Sequence, residues 1–161
     1  NPYSVSKVSG EKLCKMYYDL FGLETVILRY FNAYGDRQPT KGQYATVVGK
    51  FLSQKQRGEP LTIVPDGSQK RDYTHVSDIV GANILSSTVK MKNYGEVFNV
   101  GSGKNISVNE LAKLISDNKI LIEPRIGESK LTLANVSKIK TIMGWSPKVS
   151  LSDWISNKLN A

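Results

Sequence analysis

The sequence predicts an α/β fold built on a parallel sheet, on three observations. A helix-glycine-strand succession opens the chain. Its first strand is continuously apolar rather than alternating. Further strands and helices then take turns to the end. Continuous apolarity suggests a strand covered on both faces, as helices cover a parallel sheet. Strands alternating with helical patterns suggest βαβ units.

From Val8 to Phe21 the apolar positions Val8, Leu13, Met16, Tyr17, Leu20 and Phe21 recur at three- to four-residue spacing, which predicts an amphipathic helix that Gly22 stops. Tyr3 and Lys7 precede this run four residues apart, a spacing that puts both side chains on one face of a helix. A cation beside a phenol favours the phenolate, so this pair can serve as a general base. The spacing recurs freely in unrelated sequences, and the rest of the chain has to support it.

Glu24 to Phe31 forms the apolar strand, which runs straight into the polar Asn32-Ala33-Tyr34-Gly35. Ligands of open α/β sheets gather beyond the carboxyl ends of strands, so these residues are placed to face one. Asp36 to Gly42 is a loop, Tyr44 to Gln56 a helix, Leu61 to Val64 a strand and Pro65 to Ser68 a turn. Lys70-Arg71-Asp72-Tyr73-Thr74-His75-Val76-Ser77-Asp78 leads into a helix through Ile79, Ile84 and Leu85. His75, the single histidine, is expected to be a packed, hydrogen-bonded residue, and Arg71 has Asp72 and Asp78 within reach as salt-bridge partners. Glu96 to Val100 is a strand ending at Gly101-Ser102-Gly103, which lacks the spacing of a dinucleotide fingerprint. Ser107 and Glu110 form a capping box for a helix reaching Ser116. Ile120 to Pro124 is a strand, and Leu151 to Leu159 the last helix.

Composition narrows the function. The 161 residues are 40% hydrophobic and 22% charged, ordinary for a globular protein with a real core. One cysteine, Cys14, excludes disulfide frameworks and Cys-rich metal sites, and suits a reducing cytoplasm. No apolar run approaches membrane-spanning length. The net charge of +8 comes from spread cations, with Lys70-Arg71 the one Lys-Arg pair. A basic surface around an anionic small-molecule site explains that pattern, and a nucleic-acid partner is not expected.

Several motifs together resemble one family. Tyr3-x-x-x-Lys7, then Leu28-Arg29-Tyr30-Phe31-Asn32, the Arg71-to-Asp78 segment, Arg125-x-Gly127-Glu128 and Met143-Gly144-Trp145-Ser146-Pro147 occur in the order found in the extended short-chain dehydrogenases that act on nucleotide sugars. The UDP-glucose 4-epimerase-like NDP-sugar epimerases are nearest. Asn135 stands where that family usually has Asp, which puts a local hydrogen bond in doubt.

The resemblance implies the C-terminal part of a Rossmann-type doubly wound parallel sheet plus a small α/β substrate-binding domain. Residues 1–35 would end the NAD-binding domain, with 74–103 returning to it, and 36–73 with 104–161 would form the substrate-binding domain. The chain begins at Asn1 directly on the Tyr-Lys motif, so it is expected to be the later part of a longer protein. The implied cofactor is NAD, the partner a nucleotide-diphosphate sugar, and the assembly a homodimer. By the same resemblance Tyr3 and Lys7 are catalytic and touch the cofactor, and Phe31 lies beside it. Asn32, Arg71, Arg125 and Glu128 bind substrate: the two arginines the diphosphate, Glu128 the ribose and Asn32 the nucleotide portion. A 4,6-dehydratase, a UDP-glucuronate decarboxylase, or an inactive regulatory or nucleic-acid-binding relative are the alternatives.

Overall fold

The computed structural model describes residues 2–42, 44–124 and 129–160. Helix α1 spans Pro2–Phe21, with proline where its missing N–H costs nothing. Gly22 ends it at φ 68°, a left-handed conformation that glycine adopts without penalty. Strand β1 (Val26–Tyr30) follows, and it pairs in parallel with β6 (Glu96–Val100) over five residues, Val26 opposite Glu96 through Tyr30 opposite Val100. The expected parallel arrangement is therefore present.

Val26 and Leu28 face a core of Ile79, Ala82, Phe98, Val100, Ile139, Met143 and Trp145. Ile79 and Ala82 come from α3 (Val76–Thr88), and Ile139 and Met143 from α5 (Ser137–Met143). The sequence reading missed α5, although Ile139 and Met143 are four apart and Gly144 caps it at φ 69°. Trp145 Nε1 donates to the carbonyl of Asp78, 3.0 Å away, which draws the end of α5 onto α3.

A second core gathers Val48 and Phe51 of α2 (Val47–Gln56), Leu61 and Ile63 of β3 (Leu61–Ile63), Leu111 and Ile115 of α4 (Val108–Ile115), and Ile155 of α6 (Leu151–Asn160). Burying each such side chain contributes about 1.5–3 kcal/mol. The capping box is formed as expected: Ser107 Oγ accepts the N–H of Glu110, and Glu110 accepts the N–H of Ser107. β3 pairs in parallel with β8 (Lys119–Leu121).

Four two-residue strands escaped the sequence reading: β2 (Ala33–Tyr34), β4 (Lys70–Arg71), β5 (Thr74–His75) and β7 (Ile106–Ser107). β2 pairs in parallel with β5, and β4 pairs antiparallel with β7. Segments of two residues show no periodicity, so pattern reading cannot find them.

The expectation that β1 is enclosed on both faces does not hold within this chain. β1 is half-buried to exposed, and α1 buries none of its residues, leaving Leu13, Met16, Tyr17, Leu20 and Phe21 exposed. Among the described residues β1 has a partner strand on one edge only.

Candidate functional site

Tyr3 and Lys7 share a face of α1, with the Lys7 ammonium 5.3 Å from the centroid of the Tyr3 ring. That is cation–π range. Both side chains are exposed. Glu11 continues the same row one turn on, and its carboxylate receives two hydrogen bonds from Arg29 of β1. Further along, Thr25 Oγ1 donates to the carbonyl of Cys14 at 3.0 Å. A later helix residue thus meets an earlier strand residue, so α1 runs antiparallel to β1. The Tyr3–Lys7 end of the row consequently projects toward the carboxyl end of β1, where Phe31 and Asn32 lie. Phe31 stays tied to the sheet through its N–H, which donates to the Val100 carbonyl at 3.0 Å.

Asn32 leaves β1 at φ 29°, in the left-handed region where asparagine is among the few tolerated residues. Its amide nitrogen donates to the Asp72 carbonyl at 2.7 Å and to Thr132 Oγ1 at 3.2 Å. These bonds occupy the Nδ2 group and orient Oδ1. Asn32 and Arg71 both line a cavity of about 650 Å³. Lys41, Lys50 and Arg57 line it as well, and no described lining residue is acidic. Such a wall favours an anion. These three cations are not singled out by the sequence, where Tyr44 to Gln56 reads as a helix on its apolar spacing alone.

Arg125 and Glu128 lie outside the described residues. The chain just beyond them is anchored beside Arg71. Lys70 donates its N–H to the Lys130 carbonyl at 2.9 Å and accepts from the Thr132 N–H at 3.0 Å.

The Gly101-Ser102-Gly103 turn does bind an anion, but the anion is the protein's own Asp72. Ser102 and Gly103 point their N–H groups at the Asp72 carboxylate, 2.7 and 3.0 Å away. The carboxylate of Asp78 likewise accepts the N–H of Val149 at 3.0 Å. Asn135 Oδ1 accepts the Ser137 N–H at 3.0 Å. His75 caps α3, its Nδ1 accepting the Ser77 N–H, and its ring packs against Tyr34 and Trp154. It is a packed residue, as expected. Burial pushes the phenols of Tyr34 and Tyr73 well above the ordinary tyrosine range, which removes both as bases near neutrality.

The described residues suit one end of a dinucleotide. A phenol and an ammonium projecting toward the carboxyl end of a parallel strand can meet ribose hydroxyls. A pyrophosphate needs a glycine-rich turn feeding a helix N-terminus, and none of the described helices starts from one. Among the described residues no group of His, Cys, Asp or Glu could hold a metal ion, and no helix is long and apolar enough to cross a membrane.

A parallel β1–β6 pair, with a helix carrying Tyr-x-x-x-Lys running antiparallel to β1, is the arrangement of a Rossmann-type α/β protein. The chain belongs to the NAD dependent epimerase/dehydratase family, whose model matches residues 1–101. A putative UDP-glucose 4-epimerase of Methanocaldococcus jannaschii is 36% identical over 99% of this chain and 52% of its own length. A UDP-N-acetyl-alpha-D-glucosaminuronate decarboxylase of Bacillus cytotoxicus is 35% identical over 92% of this chain and 49% of its own. Among solved structures, UDP-glucose 4-epimerase of Thermotoga maritima with UDP-glucose superposes with a TM-score of 0.87 at 35% identity, covering 98% of this chain and 54% of that one. UDP-glucuronic acid 4-epimerase of Bacillus cereus, in complex with UDP-glucuronic acid and NAD, gives 0.86 at 36% identity, covering 99% and 52%. The chain spans about half the length of these relatives.

Proposed function

We propose that this chain is the substrate-binding and proton-transferring part of an NAD-dependent enzyme that epimerises a nucleotide-diphosphate sugar. The observation that carries the reading is the cleft: Asn32 and Arg71 share a wall with no acid among its described residues, and the Tyr3–Lys7 row projects toward the same end of β1.

NAD, when bound, supplies a reversible acceptor for hydride. Tyr3 takes the proton of a sugar hydroxyl as its carbon is oxidised to the ketone, and returns it when the carbon is reduced from the other face. Lys7 donates to a ribose hydroxyl and sits beside the Tyr3 ring. Phe31 borders the cofactor. Arg71 and Arg125 offer planar guanidinium forks to the diphosphate, Glu128 meets the nucleotide ribose, and Asn32 presents Oδ1 to the nucleotide portion. Residues 1–35 and 74–103 would belong to the NAD-binding domain, and 36–73 with 104–161 to the substrate side. Within 104–161, α5 and Trp145 pack in one core with β6 and α3. The uncovered apolar face of α1 supports a homodimer.

Decarboxylation of a nucleotide sugar acid by the same fold is the second reading, favoured by the decarboxylase relative and by the cations Lys41, Lys50 and Arg57 in the cleft.

Calorimetric titration of the full-length protein with UDP tests the cleft. Charge-assisted contacts of this kind contribute about 1.5–3 kcal/mol each, so Arg71→Ala should weaken UDP binding by roughly 10- to 100-fold while leaving free-sugar binding alone. Wild-type affinity in that variant would sink the diphosphate assignment. Interconversion of UDP-glucose and UDP-galactose, against carbon dioxide release from UDP-glucuronate, separates the two chemistries.

A further inference from the structure

Aspartate is seldom wholly enclosed without a counter-charge, yet Asp72 is fully buried. Its carboxylate is met almost entirely by backbone donors. Oδ1 accepts the Ser102 N–H at 2.7 Å and the Ser102 hydroxyl at 2.6 Å, and Oδ2 accepts the N–H groups of Gly103 and Ala134, each at 3.0 Å. There is no slack around the carboxylate. A Cβ added at Gly101 would come within 2.9 Å of Oδ2 and 2.2 Å of the Ala134 Cβ.

The main chain of the same residue does something different. The Asp72 carbonyl accepts the Asn32 amide at 2.7 Å, and the Asp72 N–H donates to Thr132 Oγ1 at 3.3 Å. Thr132 Oγ1 also accepts from Asn32 at 3.2 Å. Four chain segments therefore meet at Asp72: the end of β1, the end of β4, the turn after β6, and the stretch through Thr132 and Ala134. Two of them carry Asn32 and Arg71.

We propose that Asp72 and Thr132 are positioning residues for nucleotide-sugar binding, a clip that fixes Asn32 and Arg71 relative to each other on the cleft wall. The proposal rests on the reading of that cleft given above. A mere fold staple would lower the yield of folded protein without altering the affinity of what folds. A positioning clip lowers affinity in the folded fraction.

Two substitutions attack the clip without changing its shape. Asp72→Asn turns an NH2 group toward two donors whichever way the amide is flipped. Thr132→Val removes the acceptor shared by Asp72 and Asn32, and Thr132→Ser keeps it. In the full-length protein, titration with UDP should give a Kd about tenfold higher for Asp72→Asn and Thr132→Val. KM for the nucleotide sugar should rise by a similar factor, with kcat at saturation and NAD content held to within about twofold. Thr132→Ser should restore both constants. If Arg71→Ala weakens UDP binding but Thr132→Val leaves Kd and KM at wild-type values, the clip is overturned and the cleft stands. That comparison decides the matter even if Asp72→Asn fails to fold. If the wild-type protein does not bind UDP, the cleft reading falls and the clip falls with it.

Discussion

Arg29 of β1 grips Glu11 of α1 through two hydrogen bonds, Nε to Oε1 at 2.6 Å and Nη2 to Oε2 at 2.5 Å. The contact fixes the row Tyr3–Lys7–Glu11 against the strand whose end carries Phe31 and Asn32. Arg29 is half-exposed, so the pair contributes about 1 kcal/mol or less to stability. Its larger effect is on alignment. Glu11→Gln should reduce turnover several-fold in the full-length protein, with UDP affinity unchanged; steady-state kinetics and titration check both.

The same pair sets a pH dependence. The guanidinium of Arg29, hydrogen-bonded to Glu11, holds that carboxyl below the usual glutamate range against the opposing effect of burial. A depressed folded-state pKa adds stability above the unfolded value of about 4.3 and loses it as pH falls through the folded value. Denaturant midpoints of wild type and Glu11→Gln should therefore converge on acidification below about pH 4. Parallel curves would show that the ion pair contributes nothing.

Tyr3→Phe in the full-length protein should leave UDP binding intact and lower turnover by about 10² to 10⁴, the usual loss for a missing general base. Unchanged turnover would remove Tyr3 from the mechanism.

Ser107→Ala breaks the capping box that starts α4, the helix supplying Leu111 and Ile115 to the core. The expected cost is about 1 kcal/mol, a fall in Tm of about 2–4 °C by calorimetry. The backbone N–H of Ser107, and then its hydroxyl, hold the Glu110 carboxyl below its ordinary range. This contribution too is present above the unfolded carboxylate pKa and lost on acidification, so Glu110→Gln should flatten that part of the acid limb.

The 161-residue chain by itself should show no saturable NAD binding, because no described helix begins at a glycine-rich turn. The exposed face of α1 and the free edge of β1 should also make it prone to association. Fluorescence titration with NAD and light scattering are the measurements. Micromolar binding would mean that the cofactor site has been misplaced.

Much of this was legible in the residues because it depends on local chemistry. Helical spacing marked α1 and α2, Ser107 and Glu110 marked the start of α4, and continuous apolarity marked β1 as a parallel strand. Tyr3 and Lys7 need only a helix to meet, and four residues of separation supply that. Gly144 could have disclosed α5, since a glycine just after an i, i+4 apolar pair is a stop signal.

What the tertiary structure decided is where chain segments distant in sequence converge. Nothing local says that the Gly101-Ser102-Gly103 turn closes on Asp72, thirty residues upstream, rather than on a phosphate. Nor does spacing show that the Asn32 amide is held by Asp72 and Thr132, or that Lys41, Lys50 and Arg57 face the same cleft as Arg71. A buried carboxylate must find donors, and the turn after β6 and the stretch through Ala134 supply those donors only once the chain has closed around it. Residue types and short-range spacing determined which chemistry this protein carries. The obligation to satisfy buried polar groups across the packed chain decided how that chemistry is held in place.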